Sequence, residues 1–367
     1  MTTALPSVLL SREAVTRAAG LATGPKLPLT DSGTTFTMAQ EAAWIDAKHY
    51  AVGRWDGSLS IFTFTDALGQ RGPVIAKAVN SPANEGLQMI TPVQELGAFV
   101  SSNDQGSMIV WRTADGTWTD LRAAATLIFP DELGVANSGC ITQAKGEPYF
   151  VAGHANGRVT IWAIDADLSK WKCVATIDVR SGRPVNPWGL TNVRGMAAIP
   201  GDASNGYVVT GSEDGNLTVV RIPDGRIMSA VVYNPAAKRG INSLAANGST
   251  VLVANCAVGP ADSNLWCYVV DSSTWRIRNT DRANLAINPK ALQVFNFDIA
   301  LASARSGNTY LFCSTEEGAL WMARLAGDKL VMIGHEVVTH ELGSALCFQD
   351  GKLALTAYDL KEYLFAE

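Results

Sequence analysis

One pattern of apolar and polar positions recurs along most of the chain. An apolar run leads into small residues and a polar turn that usually ends in glycine, and a second run follows in which apolar residues alternate with others. The copies lie at 50–62, 99–111, 150–162, 208–220 and 311–323, with a stretched copy at 251–268 and a glycine-free copy at 353–365. Self-similarity at a regular interval of roughly 50 residues predicts a repeat architecture.

Each copy predicts a β-hairpin. The period-two pattern is typical of strands, and Asp or Asn before Gly, as at Gly157 and Gly215, suits a tight turn that needs a positive φ. On this pattern we expect alternate residues of the second strand to be buried, namely Leu59 and Ile61, Val159 and Ile161, and Leu217 and Val219.

Short apolar runs before and after each hairpin add two further strands. Those before it include 43–45, 195–199 and 344–348, and those after it include 171–177 and 330–333. Four strands per repeat is the composition of a propeller blade, and stacked blades bury the faces that one hairpin leaves open. The sequence therefore predicts an all-β fold, a single β-propeller of about seven four-stranded antiparallel blades.

The phrases Gly-Ser-Glu-Asp-Gly215 and Ala-Gly-His-Ala-Asn-Gly157 with Ile161-Trp162 resemble the core of WD40 repeats. The resemblance covers about residues 35–367 and implies a rigid scaffold for protein–protein interaction. The chain departs from that family because the opening Gly-His pair is missing and the closing Trp-Asp pair is reduced to Trp111 and Trp162. The family's Asp–His–Ser/Thr–Trp hydrogen-bonding tetrad is therefore carried over to no blade.

The chain is expected to consist of one propeller and an N-terminal segment that completes it. Residues 1–32 form an N-terminal segment with a short helix at 11–20, and residues 33–367 form the propeller. A ring must pair its edge strands to close, so a strand at 25–30 or at 8–10 is expected to become the outer strand of the seventh blade.

Composition narrows the class of protein. The net charge of −5 argues against non-specific binding to nucleic acid or anionic membranes, and no run of about 18 apolar residues predicts a membrane span. The six cysteines lie far apart and no signal-peptide pattern is found, so we expect free thiols in a cytoplasmic protein.

Local chemical motifs favour binding over catalysis. No nucleophile elbow, phosphate-binding loop or zinc-protease motif is found, so no enzyme activity, cofactor, metal or small-molecule substrate is expected. The recurrent turn acids are interpreted as caps of their own turns, and His154 is expected to be exposed in its turn. These acids are Asp56, Asp104, Glu213, Asp214, Glu316 and Glu317.

Two of the ten tryptophans have no packing explanation in the repeat. Trp55 stands in the first hairpin turn beside Arg54, and Trp188 lies in a Pro- and Gly-rich connection that also contains Arg180 and Arg183. Aromatic and Arg side chains on loops are common anchors of protein interfaces.

The function predicted is therefore that of a non-enzymatic scaffold. Long connections at 62–88, 112–138 and 163–192 place its expected protein-binding surface on one rim of the first three blades. Two alternatives stay open: an enzyme or small-ligand binder that uses the central funnel, and recognition of nucleic acid or a modified peptide by the rim.

The closure hypothesis makes a direct prediction. Deletion of residues 1–32 should lower the melting temperature of the chain sharply, because the seventh blade would lose its outer strand. Circular dichroism melts of the two proteins measure the shift, and an unchanged melting temperature would contradict the hypothesis.

Overall fold

The structure is a computed structural model. It describes residues 39–64, 74–79, 86–103, 107–180, 189–233, 240–258, 262–288, 290–291, 293–338, 345–356 and 360–365. In these ranges the chain forms 27 β-strands and two short 3₁₀ helices, and no α-helix is present among them. The predicted N-terminal helix and closing strand lie outside the described residues.

The strands follow one another blade by blade. Blade 1 comprises β1 (Ala39–Trp44), β2 (His49–Arg54), β3 (Ser58–Thr63) and β4 (Val74–Val79). Blade 2 comprises β5 (Ile90–Val93), β6 (Ala98–Asn103), β7 (Ser107–Thr113) and β8 (Leu121–Ile128), with 3₁₀ helices at Gln94–Leu96 and Asp131–Leu133. Blade 3 comprises β9 (Ala136–Ala144), β10 (Glu147–His154), β11 (Arg158–Ala163) and β12 (Lys172–Asp178). Blade 4 comprises β13 (Val193–Ile199), β14 (Gly206–Ser212), β15 (Asn216–Ile222) and β16 (Ile227–Val232).

The remaining strands complete the ring. Blade 5 comprises β17 (Ile241–Asn247), β18 (Thr250–Val258), β19 (Leu265–Val270) and β20 (Ile277–Ala283). Blade 6 comprises β21 (Gln293–Ser303), β22 (Thr309–Thr315), β23 (Ala319–Ala326) and β24 (Lys329–Val337). Blade 7 comprises β25 (Ala345–Gln349), β26 (Lys352–Thr356) and β27 (Leu360–Leu364).

Each blade is an antiparallel meander, which confirms the predicted all-β propeller. Blades 1 to 4 are four-stranded sheets, and blades 5 and 6 are joined in one sheet of eight strands. The joint is a short ladder in which the extended end of β18 pairs with the start of β21. Blade 7 has three strands within the described residues, so its predicted fourth strand stays a prediction.

Glycines close the predicted hairpin turns. Gly57, Gly157, Gly215 and Gly318 all have positive φ, between 67° and 80°. An L-residue with a Cβ rarely adopts that conformation, so the recurrent glycine of the repeat has a backbone reason. In blade 1 the turn is completed by a hydrogen bond of 3.0 Å from the Gly57 N–H to the Arg54 carbonyl.

The six residues predicted to be buried in the third strands are all buried, but burial does not alternate along these strands. Leu59 and Ile61 are fully buried as predicted, but Ser60 and Phe62 between them are also 3% exposed or less. The same holds for Thr160 in blade 3. The reason is that both faces of a blade are covered by neighbouring blades, whereas the alternation rule describes a sheet with one solvated face.

Seven apolar clusters hold the blades together, and each cluster lies between two neighbouring blades. Phe99 and Ile61 belong to the cluster between blades 1 and 2, and Phe312 and Leu346 to the one between blades 6 and 7. The other five lie between the remaining neighbouring pairs, including blades 7 and 1.

The ring is closed between blades 7 and 1 by side-chain packing. Innermost strands β1 and β25 contact each other, and one cluster combines residues of both blades, among them Trp44 and Cys347. The Tyr50 hydroxyl of blade 1 also donates a hydrogen bond of 2.5 Å to the Glu362 carboxylate of blade 7. Closure thus has an apolar component that is independent of any N-terminal strand.

A second set of glycines permits close approach between blades. A Cβ on Gly53, Gly153 or Gly211, near the end of the second strand, would lie 2.2–2.8 Å from a side chain that begins the next blade. For Gly153 that side chain is Val193, whose Cγ1 would be 2.5 Å away. These glycines therefore set the spacing of the ring.

Gly153→Ala should destabilise the protein by about 1–3 kcal/mol, because the added methyl group overpacks the interface of blades 3 and 4. Adding Val193→Ala should recover part of that loss, although Val193→Ala alone removes buried apolar surface. Urea denaturation of the three variants measures the free energies of unfolding. Simple additivity of the two single changes would show that the two side chains do not compete for one space.

Candidate functional site

The first candidate surface is the hairpin rim, which we define as the edge of the disc that carries the turn between the second and third strand of each blade. Strand register also assigns the last residues of the outer strands to this edge. Ser107 pairs with Ile128, and Ala319 pairs with Val337. Features far apart in the sequence therefore lie on one rim.

Trp55 is on this rim and its side chain is 43% exposed. Its backbone is nevertheless well held. The Leu87 N–H donates a 2.9 Å hydrogen bond to the Arg54 carbonyl, and the Asp56 carboxylate accepts one of 2.9 Å from the Ser58 N–H. A Cβ on Gly86 would lie 2.8 Å from Trp55 Cα, so the next connection packs directly on this turn. A rigid turn thus presents a large aromatic side chain to solvent.

The four other predicted contact residues differ in where they lie. Arg54 is 1% exposed, so its guanidinium belongs to the interior and is not on the rim surface. Arg180 is on the rim with 44% of its side chain exposed, and it forms a 2.7 Å ion pair with Asp178. Arg183 and Trp188 lie outside the described residues.

Apolar rim residues other than tryptophan were missed by sequence reasoning. Ile128 is 77% exposed at the end of β8, Leu190 is 42% exposed in the connection before blade 4, and Val337 is 52% exposed at the end of β24. A signal was present for Ile128, since it directly follows the buried Leu127 and adjacent residues of a strand point to opposite faces. The eight tryptophans expected in packing are all buried or half-buried.

The charged groups around Asp178 form a small cationic cluster. Arg158 Nη1 and Arg180 Nη2 lie 2.8 and 2.7 Å from the same Asp178 oxygen. The pKa of Asp178 is lowered, chiefly by its hydrogen bonds with Arg180. Two guanidinium groups on one carboxylate leave one positive charge in excess on this part of the rim.

The turn acids act as caps where they follow the predicted geometry. Asp214 accepts a 3.2 Å hydrogen bond from the Asn216 N–H two residues on. The two glutamates of blade 6 bind backbone N–H groups elsewhere instead, Glu317 in the connection before that blade and Glu316 in β21. Glu317 accepts from the Ile287 N–H at 2.7 Å, and Glu316 accepts from the Phe295 N–H at 2.9 Å. Asp104 lies outside the described residues.

The expected exposure of His154 is wrong, because the side chain is fully buried. Its Nδ1–H donates to the Gly134 carbonyl at 3.4 Å, and its Nε2 lies 2.8 Å from the Thr160 hydroxyl, which also accepts from Trp162 Nε1–H at 2.9 Å. Burial lowers the pKa of His154 to about 4. Blade 3 therefore holds a His–Thr–Trp network, although no family tetrad was carried over to it.

The second candidate site is the central channel. In five innermost strands the pairing register skips one residue, and these β-bulges turn a side chain toward the axis. The residues at these positions are Gln40, Asn137, Arg194, Asn242 and Phe297. With Gln88 of blade 2 they line a cavity of about 70 Å³.

Two carboxyl groups share this cavity. Glu41 follows the bulge of blade 1, and Asp298 follows that of blade 6. Asp298 accepts hydrogen bonds from the Ser243 hydroxyl at 2.6 Å and from the Leu346 N–H at 2.8 Å. Burial raises the pKa of Asp298 to about 6, while burial and the charge of Asp298 raise the pKa of Glu41 well above its ordinary value.

Across the ring, blades 2, 3 and 4 supply hydrogen-bond donors to the cavity. Arg194 Nε donates to the Glu213 carboxylate at 2.7 Å, and its Nη1 donates to Gln88 Oε1 at 3.4 Å. Asn137 is 7% exposed, and its buried Nδ2 has no hydrogen-bond partner in the described structure. The sequence left a binder in the central funnel open as an alternative but identified none of these residues, although a polar residue recurs at or just before the start of the innermost strand in blades 1 to 5.

No model of a known protein family and no curated protein matches the chain. Among solved structures, the chain is similar to the β-propeller domain of Cps50 (Swd1) from Myceliophteria thermophila, with 13% sequence identity and a TM-score of 0.63. The match covers 90% of this chain and 97% of that one. The fold is accordingly that of a β-propeller. Among the described residues, no helix is long and apolar enough to cross a membrane.

The His154 network predicts a pH dependence of stability. Because the pKa of His154 is about 4 in the fold and about 6.5 when unfolded, the unfolded chain binds more protons between these values. The stability that neutral His154 contributes is complete above pH 6.5 and is lost as the pH falls toward 4. The wild type should therefore have a higher free energy of unfolding than His154→Gln at pH 7.5, and this difference should be smaller at pH 4.5. Urea titrations measure both, and an equal difference at the two pH values would contradict the prediction.

Proposed function

We propose that this chain is a non-enzymatic scaffold that binds a protein partner through the hairpin rim of blades 1 to 4, with Trp55 as the apolar anchor. The observation that carries the proposal is the 43% exposure of Trp55 on a turn whose backbone is fixed. A large aromatic side chain gains much by burial in a partner, and a rigid turn loses little conformational entropy when it binds.

Apolar neighbours on the same rim support this surface. Ile128 and Leu190 are also exposed and lie on the hairpin rim of the same sector. Scattered exposed apolar residues need no explanation, but several on one edge favour an interaction surface. The sequence adds Trp188 to the connection that contains Leu190, and we propose that it extends the surface.

Charge supplies the second element of recognition. Arg158 and Arg180 share the carboxylate of Asp178, and Arg183 follows in the sequence. A partner that places an apolar side chain against Trp55 and an acidic group near Arg180 would complement both features. Arg54 is not part of the proposed contact, because its side chain is buried.

The compartment proposed is the cytoplasm. All six cysteines are free, and four of them are buried. Free thiols without any disulfide are typical of proteins kept in a reducing compartment.

Site-specific photo-crosslinking tests the surface. The full chain would carry p-benzoylphenylalanine at position 55 or 128, with positions 227 and 331 as controls. Ile227 and Val331 are 43% and 41% exposed, but strand register places them near the opposite ends of their blades. We expect one discrete partner adduct from positions 55 and 128 and none from the controls. Equal adducts from all four positions, or no adduct from the rim, would contradict the proposal.

The affinity of the captured partner then tests the anchor. Trp55→Ala should weaken binding by at least about tenfold, as truncation of a buried aromatic anchor does. The double change Trp55→Ala/Trp188→Ala should weaken it further, and Ile227→Ala should change it less than about twofold. Equal partner recovery by wild type and the double variant would remove both tryptophans from the site.

A further inference from the structure

We propose that the central cavity binds a small zwitterion with one ammonium and one carboxylate group, the chemistry of a free amino acid. This proposal is independent of the rim and departs from the expectation that no small molecule is bound. It rests on the unequal distribution of chemistry around the ring axis. The carboxyl groups and an aromatic ring come from blades 1 and 6, and the guanidinium group and the buried amide donor come from blades 4 and 3.

The acidic side suits an ammonium group. Glu41 and Asp298 come from blades 1 and 6, which flank blade 7, and the charge of Asp298 disfavours ionisation of Glu41. A positive group between them would remove that repulsion and satisfy both carboxylates. Phe297, next to Asp298, adds an aromatic ring to the same side of the cavity. Aromatic rings attract ammonium groups through their faces.

The opposite side suits a carboxylate. The buried Nδ2 of Asn137 in blade 3 makes no hydrogen bond within the described residues, so it can donate to a ligand oxygen. Arg194 of blade 4 lines the cavity beside it and is oriented by Glu213 and Gln88. Because Glu213 balances the charge of Arg194, this side offers hydrogen bonds more than net charge, and a carboxylate can accept several of them.

The size of the cavity sets the class of ligand. A volume of about 70 Å³ corresponds to about five water-sized groups. A zwitterion with five or six non-hydrogen atoms, about the size of glycine or alanine, fills such a space. Its two charges are separated by one carbon atom, so the ligand can face both sides of the cavity at once.

Calorimetric titration of the full chain with glycine and L-alanine tests the proposal, with methylamine, acetate and Ca²⁺ as probes that carry charge of one sign only. We expect a dissociation constant below about 1 mM for a zwitterion and at least tenfold weaker binding of each of these three probes. Equal binding of methylamine or acetate would overturn the zwitterion, as would stronger binding of Ca²⁺. Absence of binding by both amino acids would overturn the site.

Matched variants then locate the ligand. Glu41→Gln keeps the shape of the side chain and removes the repulsion with Asp298, so this variant should fold at least as well as the wild type. It should lose at least tenfold in affinity for the zwitterion, and Asn137→Asp should do the same by replacing a donor with a charged acceptor. The exposed changes Glu147→Gln and Asn247→Asp should leave the affinity unchanged. Unchanged binding by Glu41→Gln would overturn the proposal, whether or not Asn137→Asp folds.

Discussion

The fold depends on apolar packing between neighbouring blades. Within the described ranges no blade has a solvated face on its middle strands, so side chains on both sides of a strand such as β3 lose their contact with water only when the two adjacent blades are in place. A single hairpin would leave both faces exposed, and the free energy of each blade is thus tied to its neighbours. The ring must therefore close, and the shared cluster of blades 7 and 1 is part of that closure.

This constraint determines which parts of the chain are free for function. Residues between blades are required for packing. This includes the glycines that let Val193 or Leu87 approach the preceding blade. Loops on the rims and side chains around the axis have no such commitment. Both candidate sites lie in these two regions, and in both of them the side chains are supported by a backbone that the packed blades hold in position.

Much of the fold could be predicted because the hairpin is a local structure. The turns at Gly157 and Gly215 can be predicted from their neighbouring residues alone, and repetition of the turn predicts the ring. The burial of single residues was harder to predict. His154 is buried by packing around its turn, where Phe129 of the preceding connection lies 4.5 Å from the imidazole ring between centroids. A turn residue in an isolated hairpin would be exposed, so the error came from applying a local rule to a residue with long-range contacts.

The residues of the central channel were also difficult to predict, because they come together only through long-range contacts. Trp55 could be identified from the sequence, because an aromatic residue in a polar turn stands out against the other copies of the repeat. The polar residues around the axis could not be identified in this way, because each looks like an ordinary strand residue in its own blade. These residues are Gln40, Asn137, Arg194 and Asn242. A β-bulge turns each of them toward the axis, and only closure brings donors from one half of the ring opposite acids from the other. Polar groups gathered in this way are costly to desolvate unless they find partners. The innermost strands thus gather polar side chains around the axis, where the apolar clusters between blades do not reach, and one buried donor there, Asn137 Nδ2, makes no hydrogen bond within the described residues.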